Sequence, residues 1–359
     1  MAISPDVVAT ALNELMPAYS ELFTSWHPIL EKIVQNGNMS RSVAQGPLRE
    51  FAVVAGGPGS ITQISTGSEV ISGGRNQQAS RGTVKAPRLI YAFDVPGKDL
   101  AEANGEMDLA KILKNYPELA LSDFHERIAN QLGSGNGTGA GGFVTLNGDK
   151  TYTPDGPSAT AENGIFDFAD SQTDSVFGLV KSGDASGVAG WHNQYKAITT
   201  NFATTGLSTM REIYHKCSRQ GKAQGPVDLM LGDEASYLNY IEALDDQVRV
   251  AEVTGDKTPN NVKMGVKFLN ANFFLEDSID ITQYSSGSAN NGVIYMLKTP
   301  TWHSYTLGHD SGMESKGDFA LRGPFRIPEQ DVWRYELVLS MGLYCNQLRA
   351  NGVVTNGAT

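Results

Sequence analysis

"DVWRYELVLSMGLYC", residues 331–345, reads as one strand of unusual length. Trp333, Tyr335, Leu337, Leu339, Met341, Leu343 and Cys345 fall on one face. Arg334, Glu336, Ser340 and Gly342 fall on the other, with Val332, Val338 and Tyr344 as exceptions. A period of two sustained over this stretch spans about 50 Å at about 3.3 Å per residue. Ordinary strands hold about five or six residues. So long an element calls for an elongated, plate-like domain.

Upstream of it the pattern alternates between helix and strand. Leu207, Met210, Ile213, Tyr214 and Cys217 make a helical face that stops near Gly221. "PVDLML" is a short buried strand, and "DEASYLNYIEAL" a helix expected to turn Tyr237, Leu238, Ile241 and Leu244 inward. "GVKFL", "NFFLED" and "GVIYMLK" read as strands. Mixed elements in this order predict a compact α/β or α+β unit.

The N-terminal part differs. Ser4-Pro5 starts a helical stripe through Val8, Leu12, Leu15, Tyr19, Leu22, Trp26 and Ile33, which Pro17 and Pro28 must interrupt. Such short helices have no core of their own. "PLREFAVVAG" and "TVKAPRLIYAFDV" read as strands flanking a polar stretch. From Val70 to Phe93 the bases Arg75, Arg81, Lys85 and Arg88 occur without an acid. Two readings fit: a long hairpin that needs an acidic partner surface, or a solvated loop. Residues 105–132 read as helix, interrupted by Pro117, and "GSGNGTGAGG" ends it.

The balance of 40% hydrophobic and 19% charged residues is that of a globular chain, and 359 residues allow two or three packing units. A net charge of −11 argues against wrapping nucleic acid. Two cysteines make no disulfide framework, so a reducing compartment fits. The opening residues lack a basic region and a continuous apolar run, so no signal peptide is expected. No window approaches eighteen apolar residues, so no membrane span is expected.

Catalysis needs converging groups. Gly137, Gly139 and Gly142 match G-x-G-x-x-G, but a helix precedes them and "FVTLNG" follows, the reverse of a dinucleotide site. His215 and Cys217 point about 200° apart on a helix and share no metal. His303 and His309, with Asp310 near, allow an acid–base or metal role, against the plainer reading of a polar loop or strand end. Cys217 and Cys345 lie on apolar faces and read as small buried hydrophobes. "LEDSID" and "EALDD" lack the alternating oxygen ligands of a calcium loop. "GWHNQYKAI", residues 190–198, groups Trp191, His192 and Tyr195 among amides, yet no acid or nucleophile is local to it. A structural junction is the expectation there.

The order of parts resembles the major capsid proteins of tailed bacteriophages, with their Hong Kong 97-like fold. "GWHNQYKAI" followed by a helix and "GPVDLMLGDEASY" is similar to that family's entry into the axial domain. "VWRYELVLSMGLYCNQLRANGVVTN" is similar to its strand returning to the peripheral domain. The resemblance implies an α+β capsid fold: an N-terminal arm over 1–45, an extended β-hairpin loop over 46–96, and a peripheral domain over 97–190 with a spine helix at 106–132. An axial domain over 191–330 and a C-terminal return to the peripheral domain over 331–359 complete it. It implies a structural, non-enzymatic role: pentamers and hexamers forming an icosahedral or prolate phage head around double-stranded DNA, in the virion and assembled in the host bacterial cytoplasm. The hairpin bases Arg75, Arg81, Lys85 and Arg88 would contact neighbouring subunits, and Trp191, His192 and Tyr195 would anchor the domain junction. No cofactor and no metal are implied. Portal, a separate scaffolding protein and a decoration protein are the further partners; DNA is enclosed without sequence-specific binding. No residue matches the lysine–asparagine crosslink of some members. An encapsulin-type shell is the alternative of the same fold, and a hydrolase using His303, His309 and Asp310 that of another class.

Overall fold

Two six-stranded sheets account for most of the structure, a computed structural model. It describes residues 27–43, 48–54, 79–85, 88–98, 119, 152–153, 156–157, 175–176, 179–180, 191–198, 201–220, 225–245, 266–276, 292–307, 314–315, 319–328 and 330–356. The expected spine helix at 106–132, Arg75, His309 and Asp310 therefore lie outside the described residues, save Leu119, which is helical.

The first sheet is built on the strand Val332–Cys345. It has room for several partners in succession. Arg88–Pro96 pairs antiparallel with residues 332–340, Phe319–Arg326 with 333–339, and Trp302–Leu307 with 341–345. Met39–Val43 adds a parallel strand beyond Trp302–Leu307. The odd-numbered face is buried as the alternation predicts: Tyr335, Leu337, Leu339, Met341, Leu343 and Cys345 are all in the core. The even-numbered face divides. Arg334 and Glu336 are partly exposed, whereas Val338, Ser340, Gly342 and Tyr344 are buried.

A hairpin explains that division. Leu48–Val54 pairs with Ala79–Lys85, and its inner side chains Phe51 and Val53 are buried. The Phe51 ring lies 4.4 Å from that of Tyr344, which also packs on His303 and Tyr305. Two glycines make space: a Cβ at Gly82 would strike the Phe51 ring, and one at Gly342 the Tyr305 ring. The base of the hairpin thus lies on its own chain. Strand Arg88–Pro96, read from the sequence as part of the hairpin, instead joins the long strand. Its partner is the apolar alternation of 332–340, which offers it far more burial than the polar stretch ahead of it.

The second sheet runs, in spatial order, Val266–Phe268, Ala271–Leu275, Leu229–Gly232, Gly292–Leu297, Gly352–Asn356 and Gln194–Ile198. Leu229–Gly232 and Gly292–Leu297 are central and buried on both faces. Helices Phe202–Gln220 and Glu234–Asp245 cover it, burying Met210, Ile213, Tyr214, Cys217, Tyr237 and Tyr240 against Phe268, Phe273, Ile294 and Met296. Leu238, expected inward, is half exposed, and Tyr240 takes its place. Positions 237, 240 and 241 share one helical face, and the Tyr240 ring packs on Phe268 and Phe273 while its hydroxyl donates to the Lys267 carbonyl at 3.0 Å.

The chain crosses between the sheets where the resemblance put no boundary. Trp302–Leu307 and Phe319–Arg326 belong to the sheet of the long strand, and Gly352–Asn356 leaves that sheet for the other. Division at residue 330 therefore does not follow the strand pairing. Gly342→Val is expected to destabilise the protein by about 1–3 kcal/mol through overpacking against Tyr305; urea unfolding measures the loss.

Candidate functional site

The two sheets meet at the turn Thr299–Thr301, between a strand of each. A turn buried at such a junction must find partners for its backbone polar groups. Asp228 accepts from the Thr299 N–H, Asn38 Nδ2 donates to the Pro300 carbonyl and the Asn346 N–H to the Thr301 carbonyl, and Asn351 matches the groups on either side of the turn. Its Oδ1 accepts from the Lys298 backbone N–H at 2.9 Å and from Trp302 Nε1 at 3.1 Å. Its Nδ2 donates to the Gln347 carbonyl at 3.1 Å and Thr301 Oγ1 at 3.2 Å, with Cys345 Sγ at 3.3 Å. The side chain is fully buried, and both lone pairs of its oxygen are used. Sequence reading places the Asn351-Gly352 pair in the returning tail and gives it no role; its location between a long apolar strand and a short one is the available signal.

A carboxylate completes the junction. Asp228 accepts from the Thr299 backbone N–H at 2.8 Å and from the Thr299 hydroxyl. At the other end of strand Leu229–Gly232, Asp233 caps helix Glu234–Asp245, accepting from Ala235 and Ser236, and also takes the Val293 N–H at 2.7 Å. The Lys298 side chain, buried near Asp228, has its ammonium pushed below the ordinary lysine range by desolvation, a shift that the Asp228 charge partly opposes.

The stretch 191–198 lies against the same tail. Trp191 is fully buried. The Gln194 N–H donates to the Asn351 carbonyl at 2.9 Å, which begins the parallel pairing of Gln194–Ile198 with Gly352–Asn356. Tyr195 shares a hydroxyl–hydroxyl bond of 3.0 Å with Thr355, and His192 is half-buried. That bond ties the stretch to the tail through two neutral groups. Lys196 and Lys216 both pair with Glu212, whose carboxyl they hold below the usual carboxylate range.

Of the hairpin bases, Arg81 is exposed and pairs with Glu50 on the opposite strand at 3.1 Å. Lys85 and Arg88 end one strand and begin the next. His303 lies within a strand, stacked on Tyr344, with Asn346 Nδ2 3.0 Å from its Nε2. The cysteines are apart and buried; burial pushes the Cys345 thiol up to about 12 and the Cys217 thiol further still. Thiols so protonated are poor nucleophiles. Among the described residues no three His, Cys, Asp or Glu side chains cluster as metal ligands, and no helix is long and apolar enough to cross a membrane.

No protein-family model and no curated protein matches the sequence. Solved structures do match. The capsid of cyanophage A-1(L) aligns at a TM-score of 0.55 and 11% identity, over 90% of this chain and 92% of that one. The capsid of the empty GTA particle aligns at 0.52 and 12% identity, over 91% and 90%. The chain has the Hong Kong 97-like capsid fold. The holo-SrpI encapsulin of Synechococcus elongatus PCC 7942 aligns at 0.49 and 8% identity, over 92% and 88%.

Asn351→Ala strips two buried donors, Lys298 N–H and Trp302 Nε1, of their acceptor. At about 1–3 kcal/mol for each, the expected loss is about 2–6 kcal/mol, read as a lower urea midpoint with an unchanged slope. Tyr195→Phe removes one half-buried bond and is expected to cost about 0.5–1.5 kcal/mol. Glu212 contributes stability above the unfolded carboxyl value of about 4.3 and loses it as pH falls through its lower folded value. The stability gap between wild type and Glu212→Gln is therefore expected to shrink on acidification from pH 7, about half-way gone only below that unfolded value.

Proposed function

We propose that this chain is the major structural subunit of a closed shell, a phage-type capsid that encloses double-stranded DNA and catalyses nothing. The observation that carries the reading is the shared fold: nine-tenths of this chain and of two capsid chains superpose as one architecture. In this reading the sheet of Val332–Cys345 belongs to a peripheral domain, and the sheet of Leu229–Gly232 to an axial domain that meets its copies in pentamers and hexamers. Trp191, His192 and Tyr195 hold the entry into that axial domain. The particle is icosahedral or prolate, assembled in the host cytoplasm with a portal and a separate scaffolding protein, and open to a decoration protein.

The physics favours such an assembly. Shell subunits must join through several modest contacts, so that misplaced copies come apart before closure. Each standard contact buries about 800 Å² per partner. A net charge of −11 keeps the subunit from gripping DNA, while Arg75, Arg81 and Lys85, with Arg88 at the start of the strand that follows, give the hairpin and its exit the opposite sign to the body. Head-to-tail contacts between unlike surfaces generate rings.

Purified protein is expected to elute as large species and to show closed particles by negative-stain microscopy. A chain that stays monomeric with and without a co-expressed scaffold removes the reading, and a protein-filled particle free of DNA moves it to an encapsulin-type shell. Arg81→Glu with Arg88→Glu is expected to slow assembly several-fold while the subunit stays folded. The exposed Arg81–Glu50 pair is worth only about 0.2–1 kcal/mol, so circular dichroism and the melting temperature should barely change. Normal assembly by the double variant would remove the hairpin bases from the interface.

A further inference from the structure

Residues 28–43 form a strap over the turn that joins the two sheets. Strand Met39–Val43 pairs with Trp302–Leu307. Helix Pro28–Gln35 packs on that strand and on the Thr299–Thr301 turn, burying Ile29, Leu30 and Ile33. The helix must stop here for the chain to reverse into the strand. Gly37 stops it, with a φ of +70°, a left-handed conformation open to glycine. Its N–H donates to the Val34 carbonyl at 2.9 Å, and that of Asn38 to the Ile33 carbonyl at 3.0 Å, which closes a Schellman turn.

The residue before that glycine has a second duty. Asn36 Nδ2 donates to Thr299 Oγ1 at 2.8 Å. The Thr299 hydroxyl gives its own hydrogen to Asp228 Oδ2. Towards position 36 its oxygen can therefore only accept. Helix termination requires a glycine and the turn requires a carboxamide, and together they put an Asn-Gly pair on the surface. Both residues are exposed, and the space a Cβ would take at Gly37 is open.

We propose that Asn36 is a site of spontaneous deamidation, and that its conversion loosens the strap. The Gly37 nitrogen, losing its proton, attacks Asn36 Cγ. A new C–N bond closes a cyclic imide, the Cγ–Nδ2 bond breaks, and Nδ2 leaves with that proton as ammonia. Water then adds to either ring carbonyl, and the opened ring is an aspartate or an isoaspartate at position 36. Water is the one co-reactant. Glycine favours the attack because it puts no side chain in the path of the nitrogen. In the docked turn the Gly37 N–H and the Asn36 carboxamide are both engaged. The reaction therefore proceeds in the moments when the last helical turn frays.

The product cannot keep the bond to the turn. A carboxylate has no hydrogen to give, and Thr299 has already given its own to Asp228. Two carboxylates then face one hydroxyl, with like charges set against each other. The new charge also lies at the C-terminal end of helix Pro28–Gln35, where the helix dipole disfavours anions. An isoaspartate adds a methylene to the main chain and takes the Schellman bonds out of register. What remains is the apolar helix face, strand Met39–Val43 and the two bonds of Asn38. The helix end loosens while the strand stays.

The chain carries its own control. Among the described residues the pair occurs once more, as Asn351-Gly352, where both residues are buried and Gly352 is paired between Met296 and Gln194. The test is incubation of the folded subunit at mildly alkaline pH, followed by peptide mapping with isoaspartate detection. Asn36 is expected to convert at least roughly tenfold faster than Asn351, since a helix end opens far more often than a core strand. In urea the two are expected to convert alike. Equal rates in the folded protein, or no conversion at Asn36, overturn the site. The deamidated fraction, separated by its extra charge, and the variant Asn36→Asp each test the release. Both are expected to lose hydrogen-exchange protection at amides 31–38 by roughly threefold to tenfold, with strand 292–297 unchanged. Asp228→Asn frees the Thr299 hydroxyl hydrogen and is expected to reduce the effect of Asn36→Asp. Full protection in both the fraction and the variant overturns the release, and an effect undiminished by Asp228→Asn overturns the clash as its cause. The inference concerns contacts within one chain and does not depend on the shell reading.

Discussion

A carboxamide taken out of water must have its oxygen and both its hydrogens matched, and Asn351 meets that demand where the two sheets touch. Its partners come from Lys298, Thr301, Trp302, Cys345 and Gln347. The same turn receives Asp228 from one sheet and Asn36 and Asn38 from the N-terminal strap. Polar residues from distant parts of the chain thus share one small buried network. Such a network is stabilising only when complete, because each group left unmatched costs more than a matched one contributes. The junction is therefore an all-or-none element, assembled after both ends of the chain have arrived, and its long sequence separations make folding slow.

The long strand is the second constraint, and it depends on the first. Asn351 and the short turn Leu348–Ala350 redirect the chain from residue 345 of one sheet into residue 352 of the other. The inner half of the strand is then enclosed on both faces, by the core on the odd side and by Phe51, Tyr305 and the hairpin base on the even side. The outer half keeps its even face partly in solvent, where Arg334 makes two bonds to Asp94 at 2.8 and 2.9 Å and Arg322 approaches Glu336 at 3.6 Å. Those pairs join neighbouring strands of the sheet. The Asp94 carboxyl is held below its usual range by the Arg334 guanidinium, though at such exposure solvent screens much of the gain.

Much of this was legible because it is periodic. The alternation of 332–345, the helical face from Met210 to Cys217, and the short apolar runs at 229–232 and 292–297 each state their own burial. Leu238 and Tyr240 were misassigned because both are apolar in pattern, and only the neighbouring Phe268 and Phe273 rings decide which faces in. Tyr344 looks like an exception to the alternation because nothing in its own strand reveals that Phe51, from a hairpin far earlier in the chain, packs on that face. Strand pairing across the junction was invisible for the same reason. Asn351, Asp228, His27 and Glu276 are single polar residues without a spacing rule, and their roles exist only once distant segments meet.

That division between periodic and singular residues has a mechanical meaning. Periodic apolar burial scales with area and makes each sheet stable in itself. The joints between sheets are instead held by a few polar contacts of definite geometry and definite charge. Asn351 is neutral and sealed, so its own bonds carry no proton to lose. At His27 the N-terminal segment meets the second sheet beside Glu276, with Nε2 and Oε2 3.2 Å apart.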